Sequence, residues 1–239
     1  MNIKKQIEYA IQKDIEEFWE WAQKFYSREQ IVHGNADSPS FPNWNRVEHN
    51  LEKAFNQLEF ETLEEKHLDN IIFLIAQQWD IGIILNWFNK GNEEVSQIGM
   101  TQKQLQILSN RGLKLKLPDA KSQFAASLYK IDNKSVAIEL LLKYYNDEDE
   151  YVRRCSLRSL HKLAYNEINP LLLKTWKENS EHGRMMCLQI WSEINEDYFN
   201  KYSRVAQKDK REYLSKYAQR LVKEKSTMAR NDKRISKLG

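Results

Sequence analysis

The chain has 239 residues, of which 41% are hydrophobic and 30% charged, and a formal net charge of +3. That length is enough to bury a sizeable core, in one elongated domain or two small ones. Seven Gly and four Pro are too few for a β-rich fold, whose tight turns need residues tolerant of unusual backbone angles, so an all-α chain is expected.

The charge is unevenly placed. Residues 201–239 carry thirteen Lys/Arg against four acids, which is +9 and leaves −6 for residues 1–200. A basic end attracts nucleic acid or acidic membranes by non-specific electrostatics, and equally makes a solvated helix and tail. The N-terminal stretch MNIKKQIEYAIQKDIEEF breaks every apolar run with Glu8, Asp14, Glu16 or Glu17, which excludes a secretory apolar segment there. The greasiest stretch, 71–88, contains Gln77, Gln78, Asp80 and Asn86. It is too short and too polar to span a bilayer, and no membrane partner is expected. Cys155 and Cys187 lie outside any CxxC and suit small reduced core residues, so the expected compartment is the cytoplasm.

In chain order, Asn2 is expected to cap a first helix running to about Phe25, with Ile7, Ile11, Phe18 and Ala22 on one apolar face. Residues 27–44, rich in Pro, Asn, Asp and Ser, read as the longest loop. A second helix is expected over 45–60. Thr62 and Glu65 are spaced as a capping box for a third. A break near Asp80–Gly82 leads to a fourth helix ending around Lys90–Asn92, and Thr101 can cap a fifth that stops at Arg111–Gly112.

Beyond residue 118 the chain repeats itself. AKSQFAASLYKI (120–131) aligns with VRRCSLRSLHKL (152–163) at an offset of 32, and GRMMCLQIWSEI (183–194) follows at 31. Such a period is that of a helical hairpin. The partner helices are expected over 134–146 and 170–179, the latter with Asn169 as cap and Pro170 at the first helical position. In 141–163 the run Asp147–Glu148–Asp149–Glu150 occupies the N-terminus of a helix, where carboxylates satisfy orphan amides and face the positive end of the dipole. Val152, Cys155, Ser156, Ser159, Leu160 and Leu163 then form the buried stripe.

This stretch resembles a HEAT repeat, whose pattern places Asp in the turn, followed by Val-Arg, a small residue and Leu at these spacings. The likeness is strongest over 141–163 and extends over 118–194, with Ala120 and Gly183 standing where the pattern has Val. The resemblance implies a right-handed α-α superhelix, a HEAT-like α-solenoid, with an N-terminal helical region at 1–95, repeats at 96–206, a capping helix at 207–225 and a basic tail at 226–239. It also implies that Arg153 ties neighbouring repeats together through Asp147 or Asp149, with Lys121 and Arg184 as its counterparts. Small stand-alone HEAT-like proteins include bacterial immunity or inhibitor proteins. Alkylpurine glycosylases and chromophore lyases share the fold, so the resemblance brings DNA binding and enzymatic alternatives with it.

The residues themselves contain no GxSxG, no Gly-rich phosphate loop, no HExxH and no paired CxxC, and neither a reaction nor a cofactor is expected. Glu64 and His67 have the spacing of a di-iron ligand pair but no second such motif accompanies them. His33 reads as a surface histidine, and Trp79, Trp87, Trp176 and Trp191 read as core. In a solenoid the second helices line the concave, binding face. The residues expected there are Arg154, Arg158 and Lys162, edged by Tyr129, Met185 and Gln189. A single basic knot beside Tyr, Met and Gln suits a protein with an acidic surface better than nucleic acid, which needs a continuous track of cations.

Overall fold

The computed structural model describes residues 2–32, 41–77 and 99–235. Its regular elements there are all helical, and none of these helices is long and apolar enough to cross a membrane. The chain forms two compact units, Met1–Ser159 and Leu160–Gly239.

In the first unit, α1 (Ile3–Ala22) begins where Asn2 accepts a hydrogen bond from the Lys4 amide and buries Ile7, Ile11, Ile15, Phe18 and Ala22. A buried acid, Asp14, shares that stripe. Its carboxylate accepts from Arg46 Nε at 2.8 Å and Asn50 Nδ2 at 2.7 Å, both on α3 (Trp44–Gln57). Residues 27–44 are not wholly loop: Ser27 and Gln30 cap one another across α2 (Arg28–Val32), an S-x-x-Q capping box that the Pro and Asn content of the segment obscures. Residues 33–40, with His33, and 78–98, with Trp79, Trp87 and the expected fourth helix, lie outside the described residues.

The second expected helix ends at Gln57, and Phe60–Thr62 form a separate 3-10 turn. Phe60, 1% exposed, stacks on Phe55 at 5.3 Å. The turn points the Thr62 hydroxyl back to the Glu59 carbonyl, so the expected Thr62–Glu65 capping box is absent and α4 (Glu65–Gln77) starts without it. At Thr101 the expected cap is present, reciprocated by Gln104, and opens α5 (Gln102–Gly112). There follow α6 (Pro118–Ser127), α7 (Lys134–Tyr145), capped by Asn133, and α8 (Glu150–Lys162), which runs across the unit boundary. Helix α4 packs on α1, α5 and α6.

In the second unit, α9 (Ile168–Lys177) begins two residues earlier than expected. Ile168 is buried, Glu167 takes the cap position without a side-chain bond, and Pro170 falls within the first turn, where its missing N–H costs nothing. Asn169 is free to accept from Trp191 Nε1 at 3.1 Å. Helix α10 (Glu181–Ile194), capped by Ser180, is joined to α11 (Glu196–Gln207) by Asn195 alone. The Asn195 amide closes α10 on the Trp191 carbonyl, and its side chain accepts from Tyr198 N to open α11. Helix α12 (Glu212–Ile235) continues unbroken beyond Ser226, where a tail was expected. It packs on α10 and α11.

The 31-residue offset of the sequence recurs as one contact in each unit. Ser156 Oγ donates to the Leu141 carbonyl at 2.5 Å, and Cys187 Sγ, 31 positions on, donates to the Leu172 carbonyl at 3.3 Å. In both hairpins a small polar side chain of the second helix sits against the backbone of the first.

Removing the buried acid tests the first unit. Asp14→Ala leaves Asn50 and Arg46 facing an empty acceptor position, so it should cost about 1–3 kcal/mol. Glu17→Ala, at a solvent-screened ion pair with Arg46, should unfold at nearly the urea concentration of the parent. Urea unfolding of both variants measures the difference.

Candidate functional site

The acidic turn before α8 organises the cationic residues around it. Asp149 Oδ1 accepts from Val152 N at 3.0 Å, and Asp147 Oδ1 accepts from Asp149 N at 3.0 Å. The other Asp147 oxygen holds Lys121 Nζ at 2.7 Å in a pair with both side chains under a tenth exposed. Arg153 Nη1 donates to the carbonyls of Asp147 and Glu148 at 2.9 and 2.8 Å. Burial, then the charge of Asp149, pushes the Asp119 carboxyl above its ordinary value.

The second unit builds the equivalent arrangement. Arg184 Nη1 meets Asp209 Oδ2 at 3.1 Å, and its Nε donates to the Trp176 carbonyl. Lys121–Asp147 and Arg184–Asp209 are thus the same device: a cation in the first turns of a helix reaching an acid 26 or 25 residues later. Arg211 completes the second copy, bonding both Asp209 oxygens and both the carbonyl and side-chain oxygens of Asn179, a residue at φ 63°. Hydrogen bonds and charge from Arg211, with further charge from Arg184, hold the Asp209 carboxyl well below the usual carboxylate range.

The expected binding residues differ in their surroundings. Arg154 is not a free cation: its Nε pairs with Glu150 at 2.8 Å, and its guanidinium lies 5.0 Å above the Tyr151 ring. Tyr151 is 47% exposed. Arg158 is exposed on the same helix, as is Lys162 near its end. Beneath them, burial pushes the Cys155 thiol up, opposed by Arg158, the Tyr151 hydrogen bond and Arg154. Tyr129 is half-buried beside Lys130. In the second unit Met185 is half-buried and Gln189 exposed on α10. Sequence reasoning passed over Tyr151, which its exposure alone singles out.

Trp176 and Trp191 stack with Tyr198 and Tyr202 as core of the second unit, with Arg184 over Trp176 at 4.8 Å. His67 faces Glu8 at 3.7 Å, and among the described residues no three His, Cys, Asp or Glu side chains gather as a cation site.

Two measurements check these assignments. Arg153→Ala strands two carbonyls and should cost about 1–3 kcal/mol, whereas Arg154→Ala removes an i,i+4 surface pair and should cost under about 1 kcal/mol. For Asp209, the folded-state value lies below the unfolded one. Its stabilisation is therefore full above the ordinary aspartate value of about 3.9 and is lost as the pH falls through the folded-state value. Asp209→Asn should lower the melting temperature at pH 7, and the gap from the parent should shrink as the solution is acidified below about pH 4.

No family model matches the chain, and neither the curated proteins nor the solved structures give a match.

Proposed function

We propose that the chain is a non-enzymatic α-solenoid, a right-handed superhelix of HEAT-like repeats, that works in the cytoplasm by binding a protein with an acidic surface, as an immunity or inhibitor protein does. The repeat reading is supported by the paired small-residue bonds of Ser156 and Cys187 and by the paired cation–acid bonds of Lys121 and Arg184.

The binding reading is carried by one observation. Tyr151 presents nearly half its surface to solvent with the Arg154 guanidinium stacked on its ring, and Arg158 lies one turn along. Tyr and Arg are the side chains that most often carry interface energy, because each offers a large, stiff contact together with hydrogen-bond donors. Stacking on Tyr151 and pairing with Glu150 hold Arg154 in place before any partner arrives, which lowers the entropy lost on binding. The free charge is that of Arg158, which draws an acidic partner.

The test is capture from a lysate of the source cells with nuclease present, followed by identification of the bound protein and a binding titration. Tyr151→Ala with Arg158→Glu should leave the far-ultraviolet spectrum unchanged and weaken the captured, acidic protein by more than about a hundredfold, since like charge across an interface costs several kcal/mol. Undiminished capture by the double variant overturns the reading, as does a partner that proves to be nucleic acid.

A further inference from the structure

We propose that α12 carries a docking surface for an acidic segment of another protein, centred on Tyr213 and separate from the surface of α8. Helix α12 packs on α10 and α11 with Leu214 and Ala218 fully buried. At 3.6 residues per turn, Tyr213, Tyr217, Arg220 and Glu224 fall within an arc of about 60°, and Lys216 and Lys223 lie within about 60° more, on the side away from Leu214 and Ala218. Tyr213 is 75% exposed. Farther along, the Arg220 guanidinium lies 5.0 Å from the centre of the half-buried Tyr217 ring, the same i,i+3 stack that Arg154 makes on Tyr151. Past that stack, Arg220, Lys223, Glu224 and Thr227 line a shallow hollow of about 410 Å³, where their aliphatic stems give a side chain of the segment a seat.

Charge selects the sign of the partner. Residues 208–227 carry seven Lys/Arg against Asp209, Glu212 and Glu224, which is +4, and draw an acidic segment. Lys216 and Arg220 pair with Glu212 and Glu224 on the same helix, but exposed i,i+4 pairs are worth so little that an incoming carboxylate joins or replaces them at small cost. The same two Glu give the face both signs of charge. A phosphate backbone or an anionic lipid sheet meets them as like charge, whereas a peptide has backbone N–H groups to offer them. Tyr213 supplies the stiff, amphipathic contact that carries interface energy, and the stack on Tyr217 holds Arg220 in place before the segment arrives.

The test selects random peptides displayed on phage, about sixteen residues each and so long enough to follow the stripe as a helix. The bait is the full chain carrying Tyr151→Ala with Arg158→Glu, which keeps the surface of α8 from collecting acidic peptides. The expected product is a family rich in Asp and Glu around an aromatic or aliphatic residue, and one labelled member is then titrated by fluorescence anisotropy. Adding Tyr213→Ala with Arg220→Glu should weaken it by about a hundredfold. Helical content should not change, since both side chains are exposed. No acidic family, undiminished binding by the α12 variant, or tighter binding of the bait to duplex DNA or to vesicles of phosphatidylcholine with phosphatidylserine than to the peptide overturns the proposal. Because the bait lacks the α8 surface, such a failure is distinct from failure of the function proposed for α8.

Discussion

Every helix ends in amides and carbonyls with no partner inside it, and a chain built almost wholly of short helices must satisfy them many times over. This protein does so with side chains of two kinds. Asn2, Thr101, Asn133, Asp149, Ser180 and Asn195 accept from helix amides. Arg153 and Arg211 donate to turn carbonyls, and Arg184 to the Trp176 carbonyl in the last turn of α9. An acid in the turn before a helix then becomes the anchor for a cation from another helix, as Asp147 is for Lys121 and Asp209 for Arg184. Helix packing depends on those turns, because each one sets where the following helix begins.

The same logic explains why charge is distributed as it is. Cations of the turns are largely consumed in place, and Arg154 is held by Glu150 and Tyr151. Among the described residues of α8, Arg158 and the Tyr151 ring stay open to a partner.

Much of the architecture was legible in the sequence. Periodicity, scarce Gly and Pro, and the offsets of 32 and 31 placed the helices from 118 to 194 closely, because buried stripes with caps at each end leave little freedom. The errors fell where a core residue overrode a local signal. Phe60 drew its turn into a 3-10 conformation and left Thr62 bonded backwards. Ile168 drew the start of α9 ahead of Asn169 and Pro170. The Asp14–Arg46–Asn50 cluster and the Arg111–Asp69 pair, 42 residues apart, were invisible, since nothing local in a sequence indicates which distant charges will meet. At the candidate site, the sequence located the basic residues of α8 but not which of them was already engaged, and Tyr151 emerged only from its exposure.

The joint between α10 and α11 has a mechanical meaning. Asn195 closes one helix with its backbone and opens the next with its side chain, so no residue is left over to act as slack. Two helices coupled in this way cannot swing independently without breaking one bond or the other, and they move as a bent rod. An inserted residue there would change the angle of the rod, whereas at 163–167 it would only lengthen a loop. Variation in chain length in this half of the molecule therefore has somewhere to go, and the bend at Asn195 is not that place.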